Sequence, residues 1–196
     1  MLIDIVVYDG LDEMDALGPL EVLRSASRNA DISVRLVTRE SQEVVTGACG
    51  LRFLPDGVYQ PGEAQILVVP GGGWGARANR GAWGEVQRGD WMPLLQQAQN
   101  TTKILAGVCT GTMLLAHAGV VGNRRASTHH TALDDLAETG ATVVSDRVVD
   151  DGDLVTSGGV TSGIDLALWL VEREFSPRLA EQVATRMEYA RQRPST

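Results

Sequence analysis

Residues 103–119, KILAGVCTGTMLLAHAG, constrain the fold more than any other stretch of the chain. Their spacing predicts a buried strand through Val108, a turn one residue long at Cys109, and a helix directly behind it. This is the G-x-S-x-G pattern of a nucleophile elbow, with sulfur in place of the serine oxygen. Gly107 and Gly111 allow the close backbone approach that so sharp a turn needs. A cysteine at that point sits at a helix N-terminus, where the dipole favours the thiolate and the first amides face a bound group. The same residues are compatible with a buried apolar cysteine in a tight turn, which is how most free cysteines behave.

A strand buried on both faces needs parallel neighbours and covering helices, and the rest of the chain offers them. Leu2 to Val7 is an apolar run broken only by Asp4, and a short acidic loop, YDGLDEMD, follows it. Gly18-Pro19 places a proline near the first turn of the next helix, which continues as LEVLRSAS. Asp15 then lies on the crossing from first strand to first helix, where parallel sheets bind their ligands. A carboxylate that only complements the helix dipole is the alternative reading there. Ile32 to Thr38 alternates as a second strand, and Val44 to Phe53 predicts a weak hairpin around Cys49. Cys49 reads as structural, with no acid or base visible beside it. Leu54 to Ala64 reads as a loop.

Gln65 to Pro70 predicts another buried strand, followed by Gly71-Gly72-Gly73-Trp74-Gly75. Glycine turns behind strands commonly expose amides to an anion or oxyanion. The pattern is not that of a phosphate loop or a dinucleotide fingerprint. Trp74 and Trp83 could line an apolar pocket or serve as packing. Gly84 to Gln99 reads as a turn that settles into a helix. Arg124 to His130 reads as a short strand ending in two histidines whose side chains oppose each other, so that at most one reaches a site. Two such histidines supply no tetrahedral ligand set, so no metal is expected. His117 reads as surface or packing. Strands follow at 141–145, 147–149 and 154–156, then a second glycine turn at 157–161. Ser162 to Asp165 reads as a helix cap with Asp165 as its acid. A final helix runs to about Ala190, and RQRPST reads as a frayed tail.

Alternating strands and helices predict an α/β fold: one domain over residues 1–196, a three-layer sandwich with a largely parallel sheet and helices on both faces. A length of 196 residues suits one well-buried domain. The formal net charge of −8 argues against nucleic acid or an anionic membrane surface as partner. Glycines, threonines and a histidine interrupt the uncharged run from Ile104 to Asn123, so it reads as strand, turn and helix rather than as a membrane span. Two cysteines make no disulfide framework, and MLIDIVVYDG lacks a basic leader region. The expected compartment is the cytoplasm, with both thiols reduced. Asp15, the triple glycine and Cys109 all follow strands of one sheet and can converge. Together they offer a thiolate, amides for developing negative charge and a carboxyl for proton transfer, a set suited to addition at an electrophilic carbon.

The ordered motifs MDALGP (14–19), PGGG (70–73), VCTG (108–111), STH (127–129) and GGVTSGID (158–165) resemble the ThiJ/PfpI superfamily, within the class I glutamine amidotransferase-like folds. The resemblance covers nearly the whole chain and implies a flavodoxin-like architecture. PfpI-type proteases carry histidine after the cysteine, whereas this chain has Thr110, which speaks against a protease triad. Asp15 before Gly-Pro, together with Cys-Thr-Gly, is similar to the isonitrile hydratase branch. That likeness implies Asp15, Cys109 and Thr110 as catalytic residues, with Gly72, Gly73, His129 and Trp74 binding substrate or oxyanion and no cofactor. The implied reaction is hydration of a small isonitrile to an N-substituted formamide through a cysteine thioimidate. His130 departs from the tryptophan usual after the histidine. Two alternatives accompany this reading. One is a ligand-sensing domain of the AraC-regulator type; because the chain ends at Thr196 with no room for a DNA-binding domain, this is the lesser expectation. The other is a thiol-dependent protein acting on reactive carbonyls, a branch that usually has glutamate in place of Asp15. The resemblance also implies a homodimer.

Overall fold

The computed structural model describes residues 1–194. Strand β1 (Leu2–Val6) leads into α1 (Glu13–Ala26) and β2 (Ser33–Thr38). A hairpin of β3 (Val45–Thr46) and β4 (Arg52–Phe53) and a short β5 (Gly57–Val58) precede β6 (Ile66–Val69). Helices α2 (Ala82–Arg88) and α3 (Met92–Thr101) lead to β7 (Ile104–Val108) and α4 (Gly111–His117). After β8 (Arg125–Ala126) come one 3-10 turn at His130–Ala132, α5 (Leu133–Glu138), β9 (Thr142–Val143), β10 (Val148–Asp150) and β11 (Leu154–Ser157). Helices α6 (Ser162–Glu174) and α7 (Pro177–Arg186) complete the chain.

Seven strands form one sheet in the order β10-β11-β7-β6-β1-β2-β5, parallel throughout except for the β10–β11 pair. Helices α1, α6 and α7 pack together as one layer, and α2, α3 and α4 form the other. The register sets Ile5, Val68, Ala106 and Val155 in one row across the four central strands, and each is fully buried. Covering both faces explains why these strands are continuous apolar runs. Asp4, the charge within β1, is buried and accepts two hydrogen bonds of 2.9 Å from Arg35 on β2. The fork of the guanidinium compensates the cost of burying that carboxylate. No helix among the described residues is long and apolar enough to cross a membrane.

Several local expectations change. Helix α1 begins earlier than the Gly-Pro pair suggests, because Asp12 caps it by accepting from the Met14 N–H at 3.2 Å. Pro19 therefore lies in the middle of the helix and leaves the Asp15 carbonyl without its usual donor. Residues 82–88 are helical rather than a turn. No side chain caps α2; backbone bonds from Gly81 to the Asp9 carbonyl and from Ala82 to the Gly72 carbonyl seat it instead. The loop at 54–64 contains the edge strand β5. Asp165 does not cap α6: its carboxylate is buried and accepts from Arg147 Nε, from the Tyr189 hydroxyl at 2.8 Å and from the Gln192 N–H at 2.6 Å. This hub fastens the tail, as do Arg191 and Arg193, which pair with Glu172 at 2.6 and 3.0 Å. Helix α7 thus ends at Arg186, and the segment through Arg193 is anchored rather than frayed; Ser195 and Thr196 lie outside the described residues.

Candidate active site

Cys109 has φ of +54°, a left-handed conformation that costs a non-glycine residue about 1–2 kcal/mol. The surrounding backbone holds it there. Its N–H donates to the Ser157 carbonyl at 3.2 Å, and its carbonyl accepts from the Thr128 hydroxyl at 2.9 Å. On the other side the elbow is interlocked with the turn after β6. A Cβ on Gly111 would stand 1.9 Å from the Val69 carbonyl oxygen, and one on Gly71 would stand 2.4 Å from Thr110 Oγ1. Glycine is required at both places by contact alone.

Asp15 is fully buried beneath this junction. Its Oδ2 accepts from the Gly71 N–H at 3.0 Å, while Oδ1 has no hydrogen-bond partner. Burial raises its pKa well above the ordinary range for aspartate, and the Asp12 carboxylate adds to the shift. Burial likewise raises the Cys109 thiol, followed by the charge of Asp15. Burial beside a carboxyl therefore works against the thiolate that the end of α4, a short helix, and the Thr110 N–H favour. The two groups are coupled: Asp15 makes ionisation of the Cys109 thiol harder, while the hydrogen bond with Cys109 eases that of Asp15 and only partly offsets its burial. The dipole-only reading of Asp15 fails on the same facts, since its unpartnered oxygen sits in a dry environment rather than on a solvated helix end.

Thr110 accepts from the Gly72 N–H at 2.8 Å. The Gly72 amide, expected among the oxyanion donors, is thus occupied, and the Thr110 N–H is directed at the Cys109 sulfur. Asp12, Gly72, Gly73, Trp74, Cys109, Thr110 and His129 share the wall of a cavity of about 240 Å³, together with Thr131 and Val160. Trp74 is nearly fully buried; its indole N–H donates to Asp135 at 2.5 Å, and Trp83 packs edge-on against it at 5.0 Å. Trp83 lies outside the wall of the Cys109 cavity; it borders a separate cavity with Trp74 and His117, and Arg77 lies over its ring at 4.1 Å. His117 packs against the far side of the same region, 5.5 Å from the Trp74 ring.

The histidine pair differs from expectation. Strand β8 ends at Ala126, His129 caps the 3-10 turn, and the two rings lie together, tilted by 39° with centroids 4.1 Å apart, instead of facing opposite ways. His129 reaches the cavity; its Nδ1 accepts from the Thr131 N–H at 3.3 Å, which assigns the ring proton to Nε2. Burial and the neighbouring His130 lower its pKa, so it is neutral at pH 7. Cys49 is exposed, but Glu13 lies beside it after all, accepting from the Cys49 and Leu51 N–H groups at 2.8 and 3.2 Å. No group of three or more metal-ligating side chains occurs among the described residues.

Sequence reading missed Asp12, Thr128, Ser157 and Tyr8. The Tyr8 hydroxyl is buried and donates to the Pro70 carbonyl at 2.5 Å, holding the strand that carries the glycine turn. Only Asp12 carried a signal, as a cap residue just ahead of Asp15. The other three act through partners 19 to 62 residues away in sequence or through backbone alone.

The elbow, the buried carboxyl and the doubly wound sheet define a thiol protein of the nucleophile-elbow α/β class. The chain belongs to the DJ-1/PfpI family, whose sequence model matches residues 1–173. It is 31% identical to isonitrile hydratase of Pseudomonas putida over 96% of this chain and 78% of that protein. It is 32% identical to the HTH-type transcriptional regulator CdhR of Pseudomonas aeruginosa over 96% of this chain, but spans only 55% of the regulator. A ThiJ/PfpI family protein from Pseudomonas syringae superposes with a TM-score of 0.87 at 27% identity, covering all of this chain and 77% of the other. Schizosaccharomyces pombe DJ-1 shares the fold, with a TM-score of 0.80 at 19% identity over 97% of this chain and all of the other.

Proposed function

We propose that the protein is a hydro-lyase that hydrates a small isonitrile to an N-substituted formamide. The observation that carries this reading is the buried Asp15, whose pKa burial raises well above the ordinary carboxyl range and whose Oδ1 has no hydrogen-bond partner, coupled electrostatically to Cys109. An isonitrile carbon accepts a proton and a nucleophile at the same atom, and a carboxyl coupled to a thiol delivers both. Asp15 gives its proton to the terminal carbon as Cys109 sulfur bonds to it, and the thiol proton passes to the Asp15 carboxylate, leaving a thioimidate beside a protonated Asp15. Water then adds to the thioimidate carbon with one of its protons going to nitrogen, the C–S bond breaks as the other proton returns to the Cys109 sulfur, and the formamide leaves. The Thr110 amide faces the charge that develops, and Thr110 positions the Gly72 turn through its hydroxyl. His129, Trp74 and the Gly72–Gly73 backbone shape the substrate cavity. The reading carries with it a cytoplasmic homodimer without cofactor or nucleic-acid partner; light scattering on the purified protein measures the assembly.

The likeness to a transcriptional regulator supports a second reading, ligand sensing without turnover, in which the same cavity binds a small molecule. Incubation with a panel of small isonitriles and with methylglyoxal, following formamide and lactate by NMR, separates hydration, carbonyl chemistry and mere binding. Formamide production that disappears in Cys109→Ala is the expected result. A Cys109→Ala protein as fast as wild type overturns the scheme.

A further inference from the structure

The cavity in front of Cys109 has a charge character that addition to an isonitrile does not require. No lysine or arginine lines it, and Asp12 is the one formally charged side chain on its wall. The two arginines of the adjoining loop are engaged elsewhere, Arg77 with Asp135 at 2.9 Å and Arg80 with Asp9 at 3.1 Å. His129 is neutral, and the next carboxyl inward, Asp15, is sealed from solvent. Asp12 is held rigidly: its N–H donates to the Gly71 carbonyl at 2.9 Å and its Oδ1 caps α1, so that Oδ2 is the oxygen left for a ligand. An anion entering this space meets a fixed like charge in a partly desolvated cavity, whereas a cation meets a counter-ion at no cost of reorganisation.

We propose that the cavity selects molecules bearing a cationic nitrogen, such as an alkylammonium group, over neutral ones and rejects carboxylates, and that Asp12 is the residue that sets this preference. The identity of the reacting group rests on the hydratase reading; the charge preference does not.

The test has one arm that needs no turnover. In a Cys49→Ser background, which removes the exposed thiol, Cys109 is treated with two methanethiosulfonates of similar size, one ending in trimethylammonium and one in sulfonate. The sulfur of Cys109 forms a mixed disulfide and methanesulfinate leaves, and each rate is divided by that of a free thiol. The normalised cationic rate is expected to exceed the anionic one by about tenfold, and Asp12→Asn to bring the two within about twofold. Asparagine caps a helix as well as aspartate does, so this variant removes charge and leaves the cap. Equal normalised rates in the Asp12 protein, a ratio that survives Asp12→Asn, or a Cys109 that neither reagent reaches would each overturn the proposal. The second arm compares kcat/KM for an ω-ammonium alkyl isonitrile, its n-alkyl analogue and its ω-carboxylate, expected to fall in that order and to level in Asp12→Asn. If no isonitrile is hydrated while the labelling ratio stands, the hydratase reading fails and the charge selection survives.

Discussion

Asp15 and Asp165 stand in the first turns of α1 and α6, two helices packed against each other, and both side chains are fully buried. Around Asp165 the protein supplies a guanidinium, a phenol and a backbone amide, and both carboxylate oxygens are bonded. Around Asp15 it supplies one amide for one oxygen and nothing for the other. A buried carboxylate costs several kcal/mol unless it is paired and hydrogen-bonded. At Asp165 that cost is met and the group serves to hold the tail. At Asp15 it is left standing, and the pKa of the group rises well above the ordinary carboxyl range. One residue type, equally buried on two neighbouring helices, becomes a structural clasp at one place and a carboxyl with a strongly raised pKa at the other, according to what faces it.

The sharpest way to break this contrast is to remove each carboxylate in turn. Asp165→Ala leaves Arg147 half-buried without its counter-ion and frees the Tyr189 hydroxyl and Gln192 N–H. The expected loss is about 3–5 kcal/mol, read as a shift of the urea midpoint at constant m-value. A loss under about 1 kcal/mol would show that the clasp carries little.

Asp15→Asn is expected to do the reverse. It keeps the acceptor for the Gly71 N–H and removes the cost of burying a group that ionises freely in the unfolded chain, so stability at pH 7 holds or rises by about 1 kcal/mol. Isonitrile turnover, where wild type shows it, should fall by about 100-fold or more, because the amide cannot supply the proton that the proposed addition takes from Asp15. A variant that is both destabilised and active would erase the distinction between the two aspartates.

The two sites differ in how much of them is legible in the residues alone. The elbow, the glycine turn and Asp15 are carried by short local patterns, in which a turn demands glycine and a strand demands an apolar run. The Asp165 clasp is invisible locally, because Ser-Gly-Ile-Asp is also how a capping box begins, and only folding brings Arg147, Tyr189 and Gln192 onto the carboxylate. Reading β8 on to His130 carries it four residues past its end at Ala126 and imposes on His129 and His130 an alternation that a cap followed by a 3-10 turn does not obey. The Gly72 amide could not be assigned without the Thr110 hydroxyl that occupies it. The helix at α2 has no side-chain cap, so nothing in the sequence marks its start.

The smallest effect is a pair of opposite pH slopes. The pKa of Asp15 is raised in the folded state, so below about pH 4, the unfolded value, both states hold the proton and its contribution to stability is complete. As pH rises toward the folded pKa, the unfolded chain ionises first and that contribution is lost. The stability difference between Asp15→Asn and wild type should therefore widen with pH from about 4 upward and level off above the folded pKa. Near the tail the sign is reversed. Burial pushes Glu172 up, but hydrogen bonds from Arg193 and the charge of Arg191 bring its net pKa below the ordinary value. Its contribution is present above about pH 4.3, the unfolded value, and is lost as pH falls through the lower folded one. Glu172→Gln should flatten the acid limb of the stability curve and leave the rise of the Asp15→Asn difference untouched. Unfolding curves at half-unit steps from pH 3 to 9 measure both slopes, and a Glu172→Gln protein that altered the alkaline limb instead would show the two regions to be electrostatically coupled.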